Sequence, residues 1–311
     1  MRIVMTGATS FIGLALTKEL IKRGAEVFAL VRPSSQGAAS LRALAGVKVL
    51  EGSLEDIQDL PERLSEPVDA FAHLGWAGSG SSNRTKTELQ QSNLLYSKKA
   101  LLAAKQLGCR RFLFAGSQAE YGRHTELMTE ESECRPLTEY GRIKLEVGRL
   151  GEKFCRENGM DFVHARIFSV YGRGDHPWTL VESCLRTFTE GGCLDLSECQ
   201  QFWNFLYIDD AAKALTALLC CDKMLAEYGC CYNVAADQKT TQPLRRFIET
   251  MYEISPKRGS FRYGTRSSNA EGPVNLMPDI SKISRVTGWV PEHSFEEGVR
   301  LELEAAGWNE A

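Results

Sequence analysis

Tyr140 and Lys144 stand one helical turn apart in the segment Thr138-Glu-Tyr-Gly-Arg-Ile-Lys144. Residues four apart on a helix share a face. A phenol ordinarily gives up its proton near pH ~10, and an ammonium beside it stabilises the phenolate. The pair therefore has the makings of a general acid or base, although a Tyr and a Lys at this spacing also describe many solvated helix faces. A second hydroxyl, Ser117, closes the apolar run Phe112-Leu-Phe-Ala-Gly-Ser117 upstream. It can hydrogen-bond a substrate oxygen while Tyr140 exchanges a proton; its plainer reading is a turn serine at a strand end. Tyr121, just beyond it, has no Lys four residues on and is not the proton carrier.

Chemistry at Tyr140 needs a partner molecule, and the amino terminus offers one a place. Arg2-Ile-Val-Met-Thr6 reads as a short buried strand that runs into Gly7-Ala-Thr-Ser-Phe-Ile-Gly13 and then a helical stretch, Leu14 to Arg23. Leu16, Leu20 and Ile21 carry the helical spacing and Gly24 supplies the stop. Strand, Gly-rich turn and helix make a dinucleotide-phosphate site, with backbone N–H groups at the helix start facing a pyrophosphate. Ser10 stands where a middle Gly is common, which the turn accepts only if that residue keeps an ordinary φ. An NAD site usually ends its second strand in an acid for the ribose 2′-hydroxyl. Here the strand ends Leu30-Val31-Arg32-Pro33-Ser34-Ser35. Arg32 suits a 2′-phosphate through charge-assisted bonds, so NADP is expected, with NAD as the alternative; a plain surface Arg is the blander reading.

Strand-like runs at 3–5, 27–31, 47–50, 70–74, 111–115 and 162–167 alternate with helical ones, including 88–107 and 140–158. Such alternation predicts an α/β fold with a parallel sheet covered on both faces. Past Gly172 apolar segments shorten, and Gly, Pro, Ser and Asn rise around residues 254–279, which predicts a smaller C-terminal lobe closing over the cofactor. The segment from Asp209 to Leu219 reads as a capped helix.

At 311 residues, 43% hydrophobic and 25% charged, the chain has ample material for a core. A net charge of −3 makes no electrostatic case for nucleic acid. No apolar run is long enough for a membrane span, and the first residues read as a core strand, not a signal peptide. The 10 cysteines include the adjacent pairs Cys220-Cys221 and Cys230-Cys231 but no Cys-x-x-Cys, and only 5 His are scattered along the chain. The expectation is no metal site and buried free thiols in a reducing cytoplasm.

Seven segments in order carry a resemblance: residues 6–13, Ala72-His-Leu-Gly-Trp76, Gly116-Ser-Gln-Ala-Glu-Tyr-Gly122, Tyr140-Gly-Arg-Ile-Lys144, Arg166-Ile-Phe-Ser-Val-Tyr-Gly-Arg-Gly174, Asn204-Phe-Leu-Tyr-Ile-Asp-Asp210 and Gly288-Trp-Val-Pro291. Over nearly its whole length the chain resembles an extended short-chain dehydrogenase/reductase, the NAD-dependent epimerase/dehydratase branch that includes nucleotide-sugar epimerases, dehydratases and reductases. The resemblance implies a doubly wound parallel sheet (Rossmann) with a smaller interleaved C-terminal substrate lobe. Residues 1–171 would bind the dinucleotide, with 204–236 returning to them, and 172–203 with 237–311 would bind substrate. It implies cofactor contacts from Gly7, Thr9, Ser10, Phe11, Ile12 and Gly13, from Arg32, and from Ser53 and Leu54 near the adenine, Ser53 standing where many relatives have Asp. Leu74, Gly75 and Trp76 would pass the ribose and pyrophosphate; Trp76 replaces a usual small residue and can instead reach the substrate. Asn93 would support that region, and Ile167, Tyr140 and Lys144 would complete the cradle. Helices 88–107 and 140–158 resemble the pair through which family members dimerise, with Leu94, Leu95, Leu101 and Leu102 as the apolar stripe; facing only the sheet is the alternative.

The implied catalytic residues are Ser117, Tyr140 and Lys144. For the substrate, the resemblance points to Gln118, Ser169, Trp203 and Arg266. Trp203 stands where many nucleotide-sugar enzymes carry a diphosphate-binding Arg, and resembles instead a subgroup near CDP-sugar and deoxysugar 4-reductases; Arg262 or Arg266 would supply the missing cation. A dehydratase wants an acidic pair after the strand-end hydroxyl, and here Gln118 and Ala119 occupy those positions with Glu120 displaced by one. The expectation is NADP-dependent reduction of a 4-keto sugar nucleotide. A nucleotide-sugar 4-epimerase with tightly held NAD is the first alternative, a non-catalytic NADP sensor the second, and a reductase of non-phosphorylated ketones the third.

Overall fold

A computed structural model describes residues 1–267 and 272–308. The first half of the chain runs β1 (Arg2–Thr6), α1 (Phe11–Lys22), β2 (Glu26–Val31), α2 (Ala38–Arg42), β3 (Val47–Glu51), α3 (Leu60–Arg63), β4 (Ala70–His73), α4 (Thr87–Gln106), β5 (Arg111–Ser117), α5 (Glu139–Glu157) and β6 (Asp161–Ile167). The second half runs β7 (Ser169–Tyr171), α6 (Leu180–Glu190), β8 (Gly192–Asp195), β9 (Phe202–Trp203), β10 (Phe205–Tyr207), α7 (Ile208–Cys220), β11 (Cys231–Val234), β12 (Gln242–Pro243), α8 (Leu244–Ile254), β13 (Gly259–Arg262), α9 (Ser281–Thr287) and α10 (Phe295–Ala305).

Seven strands form one sheet in the order β11-β6-β5-β4-β1-β2-β3, and every pairing in it is parallel. Because successive side chains point to opposite faces, one strand feeds two cores. Ile3, Met5, Val27 and Ala29 enter the layer that holds Leu16 and Leu20 of α1 and Leu215 and Leu218 of α7. Val4, Phe28, Phe71 and Phe112 enter the opposite layer with Ala100 and Leu101 of α4 and Ile143 and Val147 of α5. A sheet buried on both faces explains why its strands are nearly unbroken apolar runs. This is the doubly wound Rossmann fold. The order in which strands are added reverses between β1 and β4, so a crevice opens where Thr6 and His73 end their strands, the place where such sheets bind ligands.

A third core gathers Tyr171, Phe188, Phe205, Phe247 and Phe295 from β7, α6, β10, α8 and α10. Three two-stranded pairings, β10 with β7, β12 with β9 and β13 with β8, brace this part. The chain visits it, returns through α7 and β11 to the main sheet, and leaves again. Of the segment 254–279, residues 268–271 lie outside the described residues.

Three expectations are corrected. The helix expected at 209–219 begins a residue earlier, and its N-cap, Tyr207, makes no side-chain cap bond. Asp210 turns away, its Oδ2 accepting from the backbone N–H of His293 at 2.9 Å. The leucine stripe splits: Leu101 is 1% exposed and Leu94 packs on the α4/α5 layer, whereas Leu95 and Leu102 are 54% and 51% exposed. Of the ten free thiols, Cys109, Cys155, Cys184 and Cys199 are buried, four are half-buried, and Cys193 and Cys220 are exposed. Among the described residues there is no group of three or more His, Cys, Asp or Glu placed to hold a metal ion, and no helix long and apolar enough to cross a membrane.

Candidate active site

The glycine turn lies on the floor of the crevice. Gly7 has φ +76°, and a Cβ there would stand 2.6 Å from Gly75 N; one at Gly13 would meet Gly7 O. Only glycine lets these backbones approach so closely. Ser10 keeps φ −73° and ψ 164°, so the hydroxyl residue fits, and its Oγ caps α1 by accepting from Gly13 N at 3.1 Å. Thr9 lies beside Gly37, past the end of β2. Phe11 and Ile12 pack against the third core, so α1 starts on the seam between the two parts of the molecule. The start of a helix leaves N–H groups without partners inside the helix, which suits the turn to a pyrophosphate. A site whose Cβ-free floor and helix N-terminus point into one crevice fits a dinucleotide.

Arg32 leaves the end of β2 exposed, and among the described residues it makes no ion pair. Ser53 caps the turn after β3: its Oγ accepts from Glu55 N and donates to Asp56 Oδ2, which also takes Ser53 N–H at 2.6 Å. Leu54 packs under Gly75.

At the end of β4 a buried relay of hydrogen bonds holds residues 74–78. Gly75 N–H donates to Thr6 Oγ1 at 3.0 Å, and Thr6 Oγ1 lies 2.8 Å from His73 Nδ1. His73 Nε2 lies 3.1 Å from Ser97 Oγ, which donates to Asn93 O. Since the Ser97 proton is spent on Asn93, Nε2 must be the protonated nitrogen and Nδ1 the acceptor of the Thr6 proton. Burial first, and the Lys144 charge second, push His73 down to about 3, so the ring is neutral and its tautomer is set by its neighbours. Asn93 then clamps Ala77 at both ends, accepting from its N–H at 2.8 Å and donating to its carbonyl at 2.9 Å. Trp76 donates its indole N–H to Gln90 Oε1 at 2.9 Å. Thr6, His73 and Gln90 are residues that no spacing pattern singles out; the cue available in the sequence is only that Thr6 and His73 are polar residues closing apolar strands, and Gln90 has none.

Thr138 caps α5, its Oγ1 accepting from Gly141 N at 3.3 Å. That start puts Tyr140 and Lys144 on the buried face of the helix. Lys144 Nζ donates to Ala115 O at 2.6 Å, and the Tyr140 ring meets the Trp76 ring edge-on at 5.9 Å. The Arg84 guanidinium lies 4.7 Å from the centre of the Tyr140 ring, a neighbour that the sequence marks only as a cation in a loop. Burial, reinforced by Arg84 and opposed by the Glu120 charge, pulls Lys144 down to about 7. Ser117 ends β5 with its Oγ accepting from Ala119 N at 3.2 Å; its own proton has no acceptor among the described residues.

Glu120 is turned inward. His164 Nε2 lies 3.0 Å and Arg166 Nε 2.9 Å from its carboxylate, and it accepts from Ser117 N at 2.8 Å. Burial favours the neutral acid, but His164 and Arg166 outweigh it and hold this carboxyl below its ordinary range. Tyr121 is fully buried and donates to Asn233 Oδ1 at 2.7 Å. Gln118 is half-buried in the turn after Ser117. Ser169 lies in β7, and Ile167 closes β6 beside Ser117 in the sheet register. Trp203, half-buried in β9, has an indole N–H with no hydrogen-bond partner among the described residues. Arg262 is already paired with Asp195 at 2.8 Å, which corrects its place as a spare cation. Arg266 is exposed, with its backbone N–H bonded to Leu196 O.

Residues 3–235 match the model of the NAD dependent epimerase/dehydratase family. The chain belongs to that family of NAD-dependent nucleotide-sugar enzymes, the extended short-chain dehydrogenase/reductases. It is 26% identical to an uncharacterized UDP-glucose epimerase of Bacillus subtilis, YtcB, over 97% of each chain. It is 24% identical to the CDP-abequose synthase of Salmonella muenchen, again over 97% of each. In fold it matches the UDP-glucuronic acid 4-epimerase of Bacillus cereus, solved with UDP-glucuronic acid and NAD, with a TM-score of 0.83, 22% identity and 98% of both chains covered.

Proposed function

We propose that this protein reduces the 4-keto group of a deoxysugar nucleotide with NADPH, Tyr140 giving the proton. The observation that carries this reading is the Tyr140–Lys144 pair buried at the carboxyl end of the sheet, beside a glycine turn that fits a dinucleotide. When bound, the dinucleotide supplies the hydride. Tyr140 holds the transferable proton, Lys144 keeps a positive charge beside it, and Ser117 has a proton with which to orient the sugar oxygen. Gln118, Ser169, Trp203 and Arg266 are proposed to face the sugar nucleotide. Residues 1–171 with 204–236 would bind the dinucleotide, and 172–203 with 237–311 the substrate.

Two observations support reduction over the sister reactions. Dehydration needs an acidic group facing the sugar, and the acid nearest Ser117 is committed to His164 and Arg166. An exposed Arg32 where NAD sites carry an acid favours the 2′-phosphate of NADP. The 4-epimerase reading rests on the relatives named for that activity, one of which, from Bacillus cereus, is solved with NAD. Absorbance of freshly purified protein separates the two. Protein that arrives without nicotinamide and oxidises NADPH with a 4-keto sugar nucleotide supports reduction. Protein that retains NAD and interconverts a nucleotide sugar without net oxidation makes it an epimerase. Binding of NADP(H) with no turnover on either class would leave a sensor.

A further inference from the structure

Lys144 is enclosed by rings. Its Nζ lies 3.8 Å from the centre of the Trp76 ring, 4.9 Å from that of Phe114 and 5.7 Å from that of Tyr140. Among the described residues one carbonyl is bonded to it, Ala115 O, at 2.6 Å. An ammonium carries three N–H donors, and a carbonyl uses one of them. The face of an indole is the best aromatic acceptor of a cation, more so where water is excluded. That face does not drift, because Gln90 Oε1 holds the indole N–H and Gln90 is itself tied by its amide to Gly78 O and Asn83 O. The same indole also meets the Tyr140 ring, in a T-shaped contact at 5.9 Å. One side chain, anchored from α4, therefore touches both members of a pair carried by α5.

We propose that Trp76 is a positioning residue for the Tyr140–Lys144 pair, its indole face holding the Lys144 ammonium in place and charged beside the phenol. This rests on the reading of that pair as the proton-transfer centre. Burial alone drives Lys144 toward the neutral amine, and a neutral amine no longer favours a phenolate. A cation–π contact acts only on the charged form, so it opposes that drift. A tryptophan that merely filled the core would be replaceable by any apolar side chain of similar bulk.

The test uses the whole protein labelled with carbon-13 at the lysine ε position, the Lys144 signal being identified by its loss in Lys144→Met. The ring current of Trp76 should set the ε-methylene protons of Lys144 upfield of every exposed lysine. Trp76→Phe, which keeps a ring face, should retain part of that displacement. Trp76→Leu, which keeps bulk without a π face, should remove most of it, leaving the weaker contribution of Phe114 and Tyr140, and lower the midpoint of the Lys144 titration. In turnover, Trp76→Leu should reduce kcat about tenfold, or ~1.4 kcal/mol of barrier, with Trp76→Phe recovering most of it. The dissociation constant for NADPH, read by calorimetry, should change less than about threefold, a split that marks lost transition-state support. An unmoved Lys144 signal in folded Trp76→Leu overturns the proposal, as does equal loss in the Phe and Leu variants. If the unaltered protein turns over no sugar nucleotide, the functional reading fails on its own, and the lysine spectrum still decides the role of Trp76.

Discussion

Tyr140 packs its ring against Trp76 and Arg84, so removing only its hydroxyl leaves that packing in place. Tyr140→Phe should cut turnover by roughly 10²–10⁴-fold, the usual worth of a positioned acid, while NADPH still binds in calorimetry. Equal loss of binding would make the hydroxyl structural. Arg32→Ala should weaken NADPH by about ten- to a hundredfold, the worth of a bond between charged groups, and leave NADH unchanged; parallel weakening of both removes the 2′-phosphate role. His73 sets a pH dependence. Its folded pKa, about 3, lies below the ordinary value of 6.5, so between these limits the unfolded chain binds the extra proton. Stability from this residue is present above pH ~6.5 and drains away as pH falls towards 3, amounting to about 2 kcal/mol by pH 5. Denaturant titrations at pH 7.5 and 5 should show that loss in the unaltered protein and a smaller one in His73→Gln.

At the scale of elements, the relay from β1 through β4 to α4 fixes the short segment 74–78, and α4 does so through few side chains. Asn93→Ala would leave both backbone groups of Ala77 without their partners inside the protein. It should cost about 1–3 kcal/mol, seen as a lower denaturation midpoint with unchanged slope. Element positions were legible because each strand is an apolar run between turn residues and each long helix keeps one buried face. The cap expected for the helix read at 209–219 was not, since the Asp210 carboxylate found a better partner in His293 from a segment remote in sequence. Arg262 failed as a spare cation for the same reason, its partner Asp195 arriving through the pairing of β13 with β8.

For the whole molecule, Leu95 and Leu102 stand seven residues apart, exposed on α4, which packs beside α5. They are the natural centre of the helix-pair dimer that the family resemblance implies. We propose that dimer here, and Leu95→Glu with Leu102→Glu should convert it to a monomer in light scattering without altering helix content. A monomer before substitution would refute it. Leu94 and Leu101 instead serve the sheet, so the four-leucine stripe contains two separate roles that spacing alone merges.

Local chemistry made much of this protein readable from its residues. The glycine turn needs backbones without a Cβ, the parallel strands need apolar runs, and a helical turn puts Tyr140 and Lys144 on one face. None of that depends on what lies far away in the chain. Tertiary structure decided the rest, because it concerns which distant side chains meet. Only folding pairs Glu120 with His164 and Arg166, leaves Arg32 without an acid among the described residues, sets the tautomer of His73 through Ser97, and lays the Trp76 indole on Lys144. Charge and desolvation act through space over a few ångströms, and a linear order of residues does not contain those distances.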